Sequence, residues 1–450
     1  NARCHVKPVV IVGAGLAGLT AATYLRRHGV AVRVFEAGKN IAGLARSEHD
    51  ADGFTYDFGA HFITNRLAAA VGVSASCRPM PRYGETVWLR GRTYSYPFGL
   101  MRSPRFALSA AAAKLGAPFR RTPTTAAEWY RSTYGRKLAS EVAGPITAAW
   151  SGAPAGELAA SVGAKFATGL PRTLMLKAAA RVTRRTVAIG YSGTVPESPH
   201  VWHVYPDGGI GAVCERLADE VRDAIQTQAP VEAINVASGR VVGVRVAGED
   251  IDAAGVISTA PVHVLPKLVR GTDRLAYLSR FRYRPMAFVN VKLDGPSGLP
   301  DVVTWTPGAE TPFFRLSDIG MGLPWLVPAG KSLVTCDIGC QVGDATWAAP
   351  DADLGQLCVA ALDEIVPGTA ARYLGCRVMR TPIAYPVYRL EYEDDRKRFE
   401  QGTGIEGLVS VGRNGEFAHI LMEDVYWRTR RKVMALIGSA APGDVQQCCP

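Results

Sequence analysis

The strongest constraint on the fold is a glycine-rich hexapeptide, Gly-Ala-Gly-Leu-Ala-Gly at residues 13–18, which stands between two patterned segments. A continuous apolar run at residues 9–12 precedes it, as expected of a parallel strand that is covered on both faces. Helical spacing of apolar residues follows over residues 16–28, and a strand pattern over residues 30–35 ends on Glu36. The opening of the chain therefore predicts a β-α-β unit within a parallel sheet.

The three glycines of the hexapeptide have different predicted tasks. Gly13 permits the tight turn, Gly15 lets the backbone approach a pyrophosphate, and Gly18 permits close packing of helix on strand. The pyrophosphate would lie at the helix N-terminus, near Leu16 and Ala17, where free N–H groups and the macrodipole favour an anion. These residues predict a dinucleotide site.

The acidic residue at the end of the second strand supports that prediction. Glu36 stands eighteen positions after Gly18, where a carboxylate would accept hydrogen bonds from a ribose diol. The same carboxylate would repel a 2′-phosphate, so NADP is disfavoured at this site. A β-α-β unit that binds no ligand is the alternative interpretation.

A second glycine-rich segment separates FAD from NAD. Residues 42–47 read Ala-Gly-Leu-Ala-Arg-Ser and follow Glu36 closely, as the second glycine-rich loop does in many FAD enzymes. Arg46 is placed to meet phosphate, and a solvent-facing arginine is the alternative. We therefore predict FAD as the cofactor.

Length, charge and cysteine usage set the broad class. At 450 residues, two domains are expected, and the composition is that of a globular protein. The net charge is +11, but the basic residues look scattered, with short dense runs only at residues 181–185 and 428–432. This pattern favours solvated helix faces and a general attraction for anionic ligands over nucleic-acid binding. The nine cysteines follow no metal-ligand spacing, so no metal site is expected.

The same data predict the cellular setting. Reduced thiols, the lack of an apolar run of membrane-spanning length and an N-terminus without a signal-peptide pattern suggest a soluble cytoplasmic protein with no integral membrane segment. The oligomeric state is not predicted.

The expected fold class is α/β. Residues 66–204 are rich in alanine and look mostly helical, whereas a second α/β pattern begins at Tyr205. We expect a discontinuous Rossmann-like FAD-binding domain and a substrate domain with a mixed sheet and helices. The predicted boundaries are 1–65, 205–265 and 400–440 for the FAD-binding domain and 66–204 and 266–399 for the substrate domain.

Both ends of the chain carry a family resemblance. The hexapeptide, Glu36 and residues 42–47 are followed by Gly-Phe-Thr-Tyr-Asp-Phe-Gly-Ala-His-Phe at 53–62, and the far end has Ala-Tyr-Pro-Val-Tyr at 384–388 and Gly-Arg-Asn-Gly-Glu-Phe at 412–417. This arrangement resembles the flavin-dependent amine oxidase and protoporphyrinogen oxidase superfamily, and is most similar to its UDP-galactopyranose mutase-like branch. Ala42 stands where that family usually has a glycine.

The resemblance implies a set of cofactor contacts. Residues 205–209 and 231–234 would carry the returning strand of the FAD domain and an adenine contact, and Asp424 would stabilise the ribityl or pyrophosphate region. No cysteine near Gly412 matches the family's covalent attachment site, which implies noncovalent FAD. Motif and resemblance together place the following residues at the cofactor: Gly13, Gly15, Leu16, Ala17, Gly18, Glu36, Ala37, Gly43, Leu44, Ala45, Arg46, Gly59, Ala60, His61, Val231, Gly412, Arg413, Glu423, Asp424 and Val425.

The resemblance also suggests three catalytic candidates. His61 would lie on the face of the flavin ring, with a buried structural histidine as the alternative. Lys292 is similar to the lysine that amine oxidases hold against the flavin, but its spacing from Pro285 is one residue too long, which on a strand reverses the face. Arg315, in Arg-Leu-Ser-Asp, resembles the diphosphate-binding arginine of the mutase branch and suits an anionic substrate.

Two functions therefore compete. We expect an FAD-dependent oxidoreductase, an oxidase or dehydrogenase, that takes a hydride from a polar small-molecule metabolite, such as an aminated or sugar-containing biosynthetic intermediate. The alternative is a mutase-like flavoenzyme that acts on a sugar nucleotide without net redox change.

Overall fold

The computed structural model describes residues 7–59, 61–96, 98–116, 121–164 and 170–439. Its strands are β1 Val9–Val12, β2 Val32–Phe35, β3 Ser47–His49, β4 Thr55–Asp57, β5 Ile63–Thr64, β6 Cys77–Pro79, β7 Glu85–Leu89, β8 Arg92–Ser95, β9 His203–Pro206, β10 Ile225–Gln226, β11 Val231–Ala237, β12 Arg240–Val246, β13 Glu249–Asp252, β14 Gly255–Ser258, β15 Val269–Arg270, β16 Tyr283–Asp294, β17 Val303–Trp305, β18 Arg315–Asp318, β19 Lys331–Gly339, β20 Tyr373–Pro386 and β21 Leu408–Ser410.

The helices lie mainly between and after these strands. They are α1 Leu16–Arg27, α2 Asn65–Val71, α3 Pro104–Leu115, α4 Ala126–Tyr134, α5 Arg136–Leu138, α6 Gly144–Ser151, α7 Ser161–Ala164, α8 Leu170–Thr183, α9 Gly211–Asp219, α10 Leu265–Leu268, α11 Ile319–Gly322, α12 Ala345–Ala348, α13 Asp351–Ile365, α14 Glu393–Glu400, α15 Gly412–Gly415 and α16 Met422–Ser439.

A five-stranded parallel sheet forms the first layer. Its strand order is β10-β2-β1-β14-β21, and each neighbouring pair is parallel. The sheet is assembled from distant parts of the chain, with α1 packed against α9 and α16. This doubly wound arrangement confirms the predicted discontinuous Rossmann-like fold.

A seven-stranded mixed sheet forms the second layer, in the order β20-β16-β19-β18-β17-β7-β8. All its neighbours are antiparallel except β17 and β7. Helix α13 packs against β16 and β20 and closes an apolar core. This sheet with the helices around it confirms the expected mixed α/β class.

Residues 66–204, predicted to be mostly helical, also contain a hairpin, because β7 and β8 pair on the edge of the seven-stranded sheet. Arg90 and Gly91 both have positive φ at its tip, which is the backbone of a tight two-residue turn and is hidden within an Arg-rich sequence.

One detail of the prediction, the returning strand, is wrong. Strand β9 does not join the parallel sheet but pairs with β5 and β6, and the short β10 takes the edge position beside β2. Two residues with an exposed neighbour give too weak a periodic signal to be identified from sequence alone.

None of the helices in the described residues combines the length and apolarity that a membrane crossing requires.

Candidate active site

The glycine turn after β1 opens directly onto the N-terminus of α1. Gly15 is the N-cap residue, and no side chain caps the helix there. A Cβ added at Gly15 would meet nothing within 4 Å, whereas one at Gly18 would lie 1.9 Å from the carbonyl oxygen of Gly13. Gly13 itself has a φ of +98°. Gly13 and Gly18 therefore serve the fold, and Gly15 borders open space where an anion fits.

Glu36 braces this turn from the end of β2. One of its carboxylate oxygens accepts a hydrogen bond from the N–H of Ala14 at 2.8 Å, and the other accepts one from the N–H of Gly38 at 2.8 Å. These contacts fix the carboxylate beside the glycine turn, where a ribose would reach its remaining lone pairs. Ala37 follows it and is exposed.

The second glycine-rich segment lies against the first. The N–H of Ala42 donates to the carbonyl of Ala14 at 2.8 Å, and Ala42 has a φ of 75°, a left-handed conformation that favours glycine. Gly43, Leu44 and Ala45 form a single 3₁₀ turn. Arg46 follows, with its guanidinium 2.9 Å from Glu48 and over the ring of Phe58.

The C-terminal block closes the same turn. Gly412 has a φ of +84°, and a Cβ there would lie 2.6 Å from the Cβ of Ala17. Residues separated by nearly four hundred positions thus meet at the first turn of α1. We refer to the surface formed by residues 13–18, Glu36, residues 42–46 and Gly412 as the cradle. Its open face at Gly15 would be filled by a Cβ, so these residues fit the pyrophosphate of a dinucleotide.

Other predicted cofactor residues are occupied by protein contacts. Glu423 accepts hydrogen bonds from Thr64 at 2.6 Å and from Arg66 at 2.8 Å. Asp424 accepts hydrogen bonds from Ser192 at 2.6 Å and from the N–H of Gly193 at 2.9 Å. Both carboxylates tie the N-terminus of α16 to neighbouring segments, which gives each a structural task.

The remaining predicted positions are simpler to place. Val425 is buried in α16, and Val231 is buried at the start of β11, in a four-stranded sheet with β12, β13 and β15. Ala60 lies outside the described residues.

His61 is partly buried next to two arginines. Burial, together with the positive charges of Arg413 and Arg315, lowers the pKa of His61 to about 4. The imidazole is therefore neutral at physiological pH. Its Nε2 atom is buried and has no hydrogen-bond partner in the described structure, which is unusual for a polar atom unless a ligand completes it.

Arg315 and Arg413 differ in their partners. Arg315 on β18 forms an ion pair with the fully buried Asp337 on β19, at 2.5 Å. Burial opposes the charge of Arg315, but Asp337 outweighs this effect and raises the pKa of Arg315 above its usual range. Arg413 stacks over the ring of Tyr385 at 4.8 Å, and its Nε has no partner among the described residues.

Two guanidinium groups thus share the neighbourhood of His61. Burial, with a contribution from Arg315, holds the pKa of Arg413 below its usual range, yet an arginine remains protonated at neutral pH. We refer to His61, Arg315, Asp337, Tyr385 and Arg413 as the His61 cluster. Asp337 balances one of its two positive charges, so the cluster favours an anion.

An aromatic wall adjoins this cluster. The hydroxyl of Tyr83 donates to Glu85 at 2.6 Å, and the hydroxyl of Tyr191 lies 3.3 Å from that of Tyr83. The fully buried ring of His203 packs between both tyrosines, and burial lowers its pKa to about 4. Sequence reasoning missed these residues, because they come from the segment without motifs and meet only in the fold.

Lys292 lies elsewhere. Its Nζ is 2.9 Å from Asp52 and 3.4 Å from Asp50. Lys292 lies on the same face of the sheet as Phe288, whose ring lies beside Gly59. The two residues are four positions apart on β16, so Lys292 lies roughly 13 Å from Phe288. The structure brings His61 and Arg315 together but leaves Lys292 in a separate ion pair, so its predicted catalytic role remains a prediction.

The comparison with protein families agrees with this geometry. Residues 16–426 match the model of the flavin-containing amine oxidoreductases. The chain belongs to this family. Membership confirms the superfamily resemblance and the assignment to the flavin-dependent oxidoreductase class, and it indicates a flavin as the cofactor.

Solved structures share the fold at low sequence identity. Reduced UDP-galactopyranose mutase is 17% identical with a TM-score of 0.78, over 96% of this chain and 94% of that one. Putrescine oxidase bound to putrescine is 15% identical with a TM-score of 0.69, over 96% and 99%. Cyclohexylamine oxidase from Brevibacterium oxydans IH-35A is 17% identical with a TM-score of 0.68, over the same shares. A mutase and two oxidases share the fold, so the fold does not select the reaction.

Curated relatives match only a short segment. Lysine-specific histone demethylase 1 homolog 3 of Arabidopsis thaliana is 41% identical over 58 residues, and 4,4′-diaponeurosporene oxygenase of Staphylococcus aureus (strain USA300) is 33% identical over 58 residues. Each match covers 13% of this chain, and it spans 4% and 12% of the respective relatives.

Proposed function

We propose that this amine oxidoreductase family member binds FAD noncovalently and takes a hydride from a polar, anionic small molecule. The observation that carries the proposal is the His61 cluster, in which a neutral histidine and two partly buried guanidinium groups meet close to the cradle. The proposed FAD-binding domain is 1–65, 205–265 and 400–440, and the proposed substrate domain is 66–204 and 266–399.

Noncovalent binding follows from the residues at the cradle. Its contacts are backbone N–H groups, Glu36 and closely approaching glycines, which hold a dinucleotide by hydrogen bonds and the helix dipole. Residues 400–439 contain no cysteine. We therefore propose that denaturation releases FAD from the polypeptide.

The side chains around the cofactor position the substrate. When bound, FAD supplies the acceptor for the hydride, and the protein orients substrate and excludes water. Arg413 and Arg315 hold an anionic group of the substrate, because together they present one positive charge more than Asp337 balances. Partial burial raises the pKa values of Tyr83 and Tyr191, so neutral phenols line the aromatic wall.

His61 acts as a hydrogen-bonding group rather than as a cation. With a pKa of about 4, it is uncharged at neutral pH, and its buried Nε2 is free to bond a substrate or flavin oxygen or nitrogen. Protonation of His61 would place a third positive charge beside two arginines. Burial and the neighbouring charges therefore both oppose its protonation.

A sugar-nucleotide mutase is the second candidate, and the two partly buried arginines, Arg315 and Arg413, favour it, since guanidinium groups bind diphosphates well. Anaerobic mixing with candidate substrates separates the two. Bleaching of the oxidised flavin by an anionic amine or alcohol supports the oxidoreductase. Turnover of a sugar nucleotide only after reduction with dithionite, without net redox change, would replace it by the mutase.

Lys292→Met tests the remaining catalytic prediction. The ion pair of Lys292 with Asp50 and Asp52 accounts for its charge, so we expect the rate of flavin reduction to stay within about threefold of the unmodified protein. Stopped-flow absorbance measures this rate. A hundredfold loss with unchanged flavin content would restore the role of Lys292 beside the flavin.

A further inference from the structure

The net charge of the chain is concentrated in one segment. Residues 96–185, which follow β8, contain fourteen Lys and Arg but only three Asp and Glu. The rest of the chain contains thirty-seven residues of each sign and is therefore neutral. Although basic residues look scattered along the sequence, the whole net charge of +11 comes from residues 96–185, which we call the helical insertion.

The same segment exposes apolar side chains. Among the described residues, the three most exposed large hydrophobic side chains are Val182 at 84%, Leu115 at 80% and Leu108 at 70%. All three lie on α3 and α8, and Leu174 and Met175 of α8 are half exposed. Scattered exposed apolar residues are ordinary on protein surfaces, so their arrangement on the helices decides what they mean.

On α8 they form a stripe on the outer side. Leu174, Met175, Ala178 and Val182 fall within an arc of ~100° at 3.6 residues per turn, and the buried Leu176 lies on the opposite side. Helix α3 repeats this pattern, because Leu108 and Leu115 are two turns apart and opposite the buried Phe106. A helix of a globular protein normally turns its richest apolar face inward.

Exposed basic side chains lie at one end of each of these two helices. Arg181, Arg184 and Arg185 at the end of α8 and Arg102 before α3 are exposed. Aliphatic side chains flanked by arginines are typical of helices that lie in the interface of an anionic bilayer, with the chains in the acyl boundary and the cations at the headgroups.

We propose that the helical insertion, residues 96–185, docks the protein on an anionic lipid surface through α3 and α8. Nucleic acid offers phosphates for the arginines but no apolar medium for Leu174 and Val182. A second copy of the chain would bring the same positive charge against itself, which opposes a symmetric contact. A lipid surface satisfies both the charge and the apolar stripe.

Flotation with vesicles tests the proposal on the full-length protein. We expect binding to phosphatidylcholine vesicles that contain phosphatidylglycerol, little binding to phosphatidylcholine alone, and release at high salt. Leu174→Gln/Val182→Gln and Arg102→Glu/Arg181→Glu should each lower the partition coefficient on the anionic vesicles at least about tenfold.

Matched controls place the same changes on other surfaces. Val342→Gln/Leu374→Gln alters exposed apolar residues elsewhere, and Lys331→Glu/Lys397→Glu makes an equal change of charge. These controls should bind vesicles like the unmodified protein. Unchanged thermal melting of every variant shows that the fold is intact.

Three results would overturn the proposal. The first is failure of the unmodified protein to bind anionic vesicles, and the second is an equal loss in the controls. The third is evidence that the stripe serves another partner. Such evidence would be tight, salt-dependent binding to a DNA duplex that is unchanged in Leu174→Gln/Val182→Gln, or an oligomer that this variant converts to a monomer.

Discussion

In the cradle, the groups that face the predicted cofactor belong mainly to the backbone, whereas in the His61 cluster they are side chains. Most of the cradle comes from residues 13–46, joined only by Gly412. The cluster gathers His61, Arg315, Asp337, Tyr385 and Arg413 from five separate segments. The first region depends on local backbone geometry, and the second depends on the register of a long sheet.

The cradle and the His61 cluster should therefore respond differently to substitutions. A change in the cradle acts through space that only glycine leaves open, so its effect depends on what the new Cβ meets. A change in the cluster acts through buried charge, so its effect depends on which partner remains. Substitutions in each region therefore have distinct signatures.

Two glycines in one turn give the sharpest test of the cradle. Gly15→Val places its side chain in open space, so the apoprotein should keep its melting temperature while FAD affinity falls at least ~100-fold. Gly18→Val instead meets the Gly13 carbonyl and should lower stability by several kcal/mol or prevent folding. Flavin fluorescence titration and thermal melting separate the two. Full flavin binding by Gly15→Val would refute the assigned cradle.

The ion pair on β18 and β19 tests the cluster. Arg315→Met leaves the carboxylate of Asp337 buried and without its partner, which should cost about 3 kcal/mol in the free energy of unfolding. Arg315→Met/Asp337→Leu should recover most of this loss in urea denaturation, and neither variant should retain activity toward an anionic substrate. Equal stability of the single and double variants would show that the pair is not coupled.

Acid should weaken the cluster side of the molecule. His61 and His203 have folded pKa values of about 4, below the ordinary histidine value near 6.5, so the unfolded chain binds more protons between these pH values. Stability is therefore full above pH ~6.5 and falls toward pH ~4, by up to ~3 kcal/mol for each histidine. His203→Phe, which keeps an aromatic ring beside Tyr83 and Tyr191, should flatten this dependence. An unchanged slope would contradict it.

The smallest effect is expected at Ala42. The left-handed backbone of Ala42 is strained by ~1–2 kcal/mol, and glycine would relieve this strain. Glycine also raises the conformational entropy of the unfolded chain, which offsets part of that stabilisation. Ala42→Gly should therefore raise the free energy of unfolding by less than ~1 kcal/mol. Ala111→Gly, in the exposed part of α3, should lower it by a similar amount. Destabilisation by Ala42→Gly would show that the loop is not strained.

The contrast also explains what the sequence alone could predict. The strand, glycine turn and helix at residues 9–28 were predicted almost to the residue, because turn chemistry and periodicity are local signals. Strand β1 of the five-stranded sheet could be predicted because it is a continuous apolar run. The short β10 and the β7–β8 hairpin could not, since two residues or an Arg-Gly turn carry little pattern.

The site divides in the same way. Gly15 and Glu36 lie together at the turn before α1, and His61 lies close to Arg315, while their roles at a cofactor stay predictions. Asp424 is bonded to residues 192–194 because the fold brings that loop to α16, a contact across more than two hundred positions. The aromatic wall is formed by Tyr83, Tyr191 and His203, which are far apart in the sequence. Their spacing could not predict it, because they come together only after folding.

The central claim is that this chain holds FAD, noncovalently, in the cradle. Purified protein is precipitated with acid, and the flavin in the supernatant and in the pellet is measured by absorbance and fluorescence. We predict yellow protein that releases FAD into the supernatant in an amount equimolar with the chain. Colourless protein that takes up no added FAD, or flavin that stays with the pelleted polypeptide, would contradict the account.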